Sequence, residues 1–166
     1  MALLRHLFLH CAATPPDMEV TAEDIRRWHT LPKSKGGRGW SRVGYSELLQ
    51  RSGKLIQLVE YNQDKWVEDN EITWGARGFN YNSRHICIAG GKNMRGENID
   101  GSFNDVLTAG QFTTLYDYII DTLRYHPDIL IVGHRQVNPN KVCPGYDVPT
   151  FLRLIGINEK NIYKNE

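Results

Sequence analysis

Residues 108–132 constrain the fold more than any other part of the chain. Thr108-Ala109-Gly110-Gln111 opens a helix, and Phe112, Leu115, Tyr116, Ile119, Ile120 and Leu123 form one apolar face through about Tyr125. The apolar run 129–132 follows almost at once and reads as a buried strand. A helix leading into a buried strand is the second half of a crossover connection, the usual link between parallel strands. The other strongly apolar run, residues 3–10 near the N-terminus, can then lie beside it, with both C-terminal ends at one edge of the sheet. Open α/β sheets keep their sites at that edge. His10 and His134, far apart in sequence, can therefore meet there.

The remaining elements fit the same class. Thr21-Ala22-Glu23-Asp24 has the form of a capping box, with Ile25 and Trp28 at helical spacing, and the helix should stop before Leu31-Pro32. A loop over 33–42 carries Lys33, Lys35, Arg38 and Arg42 among glycines. Residues 45–50 and 54–60 read as a hairpin around Arg51-Ser52-Gly53. Residues 62–72 are polar with room for a helical turn, and 84–89 form a buried strand ending at Gly90-Gly91. A polar loop over 92–103 precedes the long helix, and a short helix over 150–155 closes the chain, with Gly156 suited to its C-cap. The expected architecture is α/β: a single domain over residues 1–166, with a mixed central β-sheet flanked by helices.

Charge and cysteine content exclude several function classes. Twenty basic residues against 19 acidic ones leave a net charge of +1, so nothing draws the whole chain to nucleic acid or an anionic membrane. No run approaches membrane-spanning length. The N-terminal apolar run is short, is broken by Arg5 and His6, and reads as a core strand rather than a signal peptide. Three cysteines are an odd number for a disulfide framework. Cys11 and Cys87 read as buried thiols and can pair only if their strands are neighbours.

The chemistry concentrates in the segment from Gly133 to Gly145. His134 stands just past the apolar run, followed by Lys141 and Cys143 on a Pro-containing loop. A neutral imidazole and a thiolate both suit a soft tetrahedral ion such as Zn²⁺. A third ligand is needed, and His10 is the best placed. His6 and His10 on one strand lie on the order of 13 Å apart at about 3.3 Å per residue, so both cannot hold one ion. His6, His29, His85 and His126 are assigned structural roles.

Four segments in order, His10-Cys11-Ala12-Ala13-Thr14, Val43-Gly44-Tyr45, Gly78-Phe79-Asn80-Tyr81-Asn82-Ser83 and the His134–Cys143 tail, resemble the zinc-dependent N-acetylmuramoyl-L-alanine amidases. The likeness is strongest to the small phage lysozymes that are amidases, and extends to the peptidoglycan recognition proteins sharing their fold. It implies zinc on His10, His134 and Cys143, with a fourth position left for water. It also implies that Tyr45 and Lys141 assist the transition state, Lys141 by polarising the oxyanion. The bond implied is the amide between N-acetylmuramic acid and L-alanine in peptidoglycan. A monomer made in the cytoplasm without a signal peptide and acting on the wall after release, as a phage or prophage endolysin does, completes the expectation.

Two positions depart from the family pattern. Ser46 follows Tyr45 where a histidine is usual, and Trp74-Gly75-Ala76 stands where many relatives carry a histidine. Phe79, Asn80, Asn82, Trp40 and Trp74 are candidates for substrate contact. A recognition module without catalysis and a cysteine hydrolase using Cys143 and His134 are the competing readings. The first is disfavoured because Cys143 is retained, the second because no helix start lies behind Cys143 to activate it.

Overall fold

The computed structural model describes residues 1–165. In chain order the strands are β1 (Ala2–Leu3), β2 (His6–Cys11), β3 (Glu47–Leu49), β4 (Leu55–Gln57), β5 (Trp66–Val67), β6 (Ser83–Ile88) and β7 (Leu130–Gly133). The helices are α1 (Ala22–Thr30), α2 (Phe103–Val106), α3 (Ala109–Tyr125), α4 (His134–Val137) and α5 (Val148–Leu154). Five strands form the main sheet in the order β4-β3-β6-β2-β7. β3, β6, β2 and β7 run parallel, and β4 closes one edge antiparallel to β3. The sheet is therefore mixed, as expected, and β7 lies beside β2. Among the described residues no helix is long and apolar enough to cross a membrane.

Side-chain alternation divides β2 between two environments. Leu7 and Leu9 join Leu49, Ile86, Ile88 and Ile131 on one face, packed against Leu115 and Ile119 of α3 and Phe151 and Leu152 of α5. Each such side chain contributes roughly 1.5–3 kcal/mol of burial. His6, Phe8 and His10 point to the other face with His85 and Cys87 of β6. There α1 brings Ile25 onto the cluster containing Leu48 and Cys87, while Ala76 and Phe79 cover Phe8 and Val132. Cys11 pairs with Ile88, so the thiols of Cys11 and Cys87 lie on opposite faces, and both are free.

Local chemistry sets the boundaries. The Thr21 hydroxyl accepts the Asp24 N–H while the Asp24 carboxylate accepts the Thr21 N–H, and the helix ends at Thr30, before Leu31 as expected. Thr108 and Gln111 form the same reciprocal cap at the start of α3. Gly53, at φ 91°, turns the β3–β4 hairpin in a conformation that a Cβ would strain.

The structure corrects several boundaries. The first expected strand is two: β1 pairs with β5, and the chain re-enters the sheet only at His6. The break falls at Leu4 and Arg5, where the Leu4 N–H still bonds the Lys65 carbonyl beside β5 while the Arg5 N–H already bonds the Asn82 carbonyl beside β6. α2 fills the stretch between the expected 92–103 loop and the long helix, and α4 lies in the loop expected after β7; both are single turns, too short for apolar periodicity to reveal. α5 begins at Val148 because Asp147 caps it by accepting the Thr150 N–H at 2.8 Å, with Pro149 in the first turn.

One buried carboxyl ties the hairpin edge to α3. Glu47 of β3 is 2% exposed and accepts hydrogen bonds from the hydroxyls of Tyr61 and Tyr118, the latter at 2.9 Å. Burial outweighs these bonds and raises its pKa from 4.5 to about 7. Between those two values the folded chain holds a proton on Glu47 that the unfolded chain has lost, so the contribution of this carboxyl to stability falls as pH rises through that window. We expect Glu47→Gln to abolish this slope, shifting the stability difference from wild type by on the order of 2–3 kcal/mol between pH 4.5 and 7. Urea titrations of both proteins across that range measure it, and parallel profiles would refute the assignment.

Candidate active site

The C-terminal ends of β2 and β7 deliver two histidines to one edge of the sheet. His10 is the penultimate residue of β2 and is completely buried, whereas His134 directly follows β7 and opens α4. After α4 the chain folds back: the Lys141 N–H donates to the Asn138 carbonyl, and the Arg135 N–H to the Cys143 carbonyl at 2.8 Å. This return places Cys143 over the end of β2, where its Sγ accepts the Cys11 N–H at 3.2 Å.

His10 Nδ1 lies 3.1 Å from His134 Nδ1 and 3.8 Å from Cys143 Sγ. Nitrogens sharing a tetrahedral zinc ion stand about 3.4 Å apart, and a nitrogen and a thiolate about 3.6 Å. Among the described residues these three make one group whose ligand atoms all fall within 4.8 Å of one another. The donor set suits zinc, and the two contacts made by His10 stand close to the spacing such an ion needs.

The electrostatics agree with a metal site. Burial above all, aided by the neighbouring histidines, holds His10 well below the ordinary imidazole pKa. Burial and then the Lys141 charge lower His134 to about 4. Both rings are therefore neutral near pH 7, the form that binds a metal. Pairing with the Cys11 thiol, together with burial, pushes the Cys143 thiol well up. A thiol so placed is a poor free nucleophile, and a cation among its neighbours is what would ionise it.

The site forms part of a groove of about 640 Å³. Tyr45, His134, Lys141 and Cys143 line it, together with Trp40, Trp74, Asn80 and the two arginines Arg38 and Arg77. The ring of Tyr45 is 5.1 Å from that of His10 and 5.1 Å from that of His29. Burial raises its pKa well above 10, so its hydroxyl remains a proton donor. His29 accepts the Gly44 N–H at Nδ1 over 2.9 Å, fixing the backbone that carries Tyr45. Trp40 and Trp74 form one wall, 6.2 Å apart, with the Arg38 guanidinium 5.0 Å over Trp40. Arg38, Arg77 and Lys141 are cations, and among the described residues no carboxylate lines the groove.

The five sequence-predicted site residues gather at this edge, with His10 behind the groove and Tyr45, His134, Lys141 and Cys143 on it. The candidate contact residues divide. Trp40, Trp74 and Asn80 line the groove, but Phe79 packs edge-on against Phe8 and His6, and Asn82 is buried beside His6. His85, assigned a structural role from sequence, has its Nδ1 3.0 Å from His10 Nε2. Only the pairing of β2 with β6 reveals that contact; its placement on an apolar strand gave no signal. Arg77 likewise carried no motif.

Residues 3–146 match the family model described as N-acetylmuramoyl-L-alanine amidase. The endolysin of Escherichia phage T7 is 30% identical over 142 residues, covering 86% of this chain and 81% of that protein. Among solved structures, the Ph2119 endolysin from the Thermus scotoductus MAT2119 bacteriophage superposes with a TM-score of 0.67 at 22% identity. That alignment covers 95% of this chain and 88% of the other. Drosophila PGRP-LB gives a TM-score of 0.66 at 18% identity, covering 99% and 88%. Given a family match across most of its length and a phage relative aligned over most of both chains, the chain belongs to the N-acetylmuramoyl-L-alanine amidase family.

Proposed function

We propose that this chain acts as one catalytic domain, and as a monomer, hydrolysing the amide between N-acetylmuramic acid and L-alanine in peptidoglycan, in the manner of a phage endolysin. The observation that carries the zinc-dependent form of this reading is the convergence of His10 Nδ1, His134 Nδ1 and Cys143 Sγ beside the groove. A zinc ion held by these three supplies Lewis-acid activation of water and of the substrate carbonyl. In the net reaction the hydroxyl of water joins the lactyl carbonyl carbon, the C–N bond to alanine breaks, and a proton reaches the freed amine.

The chain's own groups serve the charge that develops. Lys141 brings a fixed positive charge to the groove beside His134 and faces the oxyanion that forms when the carbonyl is attacked. Tyr45, which lines the groove and is kept protonated by burial, is the hydrogen-bond donor this reading assigns to the same charge. Arg38 and Arg77, in a groove that none of the described carboxylates lines, suit the anionic carboxylates of a stem peptide, while Trp40 and Trp74 offer flat apolar surface to the substrate.

Mass spectrometry of a purified muramoyl-tripeptide should show release of peptide beginning at L-alanine, and a zinc chelator should stop it. An intact muropeptide that still bound the protein would replace hydrolysis by recognition. Cys143→Ala should lose zinc and cleavage with the fold retained by circular dichroism; full activity in zinc-free variant protein would refute the mechanism. Lys141→Ala should keep zinc and lower kcat by about 10²–10³-fold, the usual loss for an oxyanion donor. Arg38→Ala should raise KM by about three- to tenfold for a stem peptide with free carboxylates and leave kcat unchanged. An equal KM rise for the fully amidated peptide would remove the carboxylate role.

A further inference from the structure

We propose that His85 is a positioning residue that orients the His10 imidazole for the metal, through a hydrogen bond from His10 Nε2–H to His85 Nδ1. The proposal rests on the zinc reading given above and concerns a residue that itself touches neither metal nor substrate.

The geometry leaves one arrangement of protons. His10 turns Nδ1 towards His134 and Cys143, and a metal-binding nitrogen must present its lone pair. The His10 proton then sits on Nε2, 3.0 Å from His85 Nδ1. That nitrogen must accept, which places the His85 proton on its own Nε2. Both side chains are completely buried, so no water competes for the contact. Partners of this kind fix the tautomer and ring plane of a metal-binding histidine.

The surroundings are shaped to hold the ring. β2 pairs with β6 so that Phe8 stands opposite His85, and the two rings stack 5.1 Å apart with 25° between their planes. A Cβ at Gly75 would stand 2.4 Å from His85 Nδ1, so a glycine is needed there. Ser46, immediately before β3, bonds the backbone of His85 on both sides: its N–H donates to the His85 carbonyl at 2.8 Å, and its Oγ accepts the His85 N–H at 3.4 Å. Ser46 and Gly75 lie at the two places where the chain departs from the family's histidine pattern. Both abut His85, which supplies an imidazole to this pocket from β6 instead.

His85 Nε2 is buried and has no hydrogen-bond partner among the described residues. A ring kept only for packing would be better replaced by an apolar one. Retaining a buried imidazole with one unpaired nitrogen is intelligible if the other nitrogen does work on His10.

The test compares His85→Leu, which fills space without an acceptor, with His85→Asn, whose carbonyl oxygen can stand near the position of Nδ1. Zinc affinity is read by competition with a chromogenic chelator, and thermal unfolding of the metal-free proteins is read alongside. We expect His85→Leu to weaken zinc binding about 10- to 100-fold without lowering the metal-free melting temperature, and His85→Asn to recover most of the affinity. Wild-type affinity in His85→Leu, or equal losses in both variants, would overturn the role. Nitrogen-15 correlation spectra of zinc-loaded wild type test it without mutation: protons on His10 Nε2 and His85 Nε2 support it, and a proton on His85 Nδ1 overturns it. A wild-type chain that takes up no zinc would instead bring down the metal reading on which this one stands.

Discussion

The parallel pairing of β2 with both β6 and β7 is the constraint on which the rest of the structure depends. β2 is buried along its whole length, and its neighbours hold it in a single register. A slip of one residue would turn Leu7 and Leu9 out of the core beneath α3 and α5 and bring the histidines into it. The hydrophobic side of the sheet therefore fixes the chemical side. His10 reaches the active edge because Leu9 is anchored under the helices, and it meets His85 because β6 obeys the same alternation.

Burial then sets the charge state of the site. The imidazoles of His10, His85 and His134 are held neutral chiefly by loss of solvent, with His85 lowered to about 3. Cationic residues stay out on the groove, where Arg38, Arg77 and Lys141 remain exposed. The result is a dry cluster of neutral donors beneath a positively charged cleft. A soft cation suits the first and an anionic substrate the second, within a chain whose net charge is only +1.

Much of this was legible in the residues themselves. The face of α3, the reciprocal caps at Thr21 and Thr108 and the turn at Gly53 depend on neighbours within a few positions, so sequence spacing reports them directly. The apolar runs identified β2, β6 and β7, and the motifs carrying the family resemblance pointed to the five site residues that the fold gathers at one edge. Short elements escaped because α2 and α4 are one turn each and leave no periodic trace. The split between β1 and β2 escaped because β1 takes its partner from β5, more than sixty positions along the chain, which is a property of the assembled fold.

By itself the sequence determined the class of the fold, the family and the kind of chemistry, because helix faces, strand alternation and donor types are written in local order. Only the tertiary structure decided which histidines act together. His85 is 75 positions from His10 and reads as an ordinary strand residue, yet strand register puts their nitrogens 3.0 Å apart. Equally, only the folded chain shows that Phe79 and Asn82 belong to the interior while Arg38 and Arg77 belong to the groove. Such assignments depend on which side of the sheet a loop covers, and that follows from packing across the whole molecule rather than from neighbours along the chain.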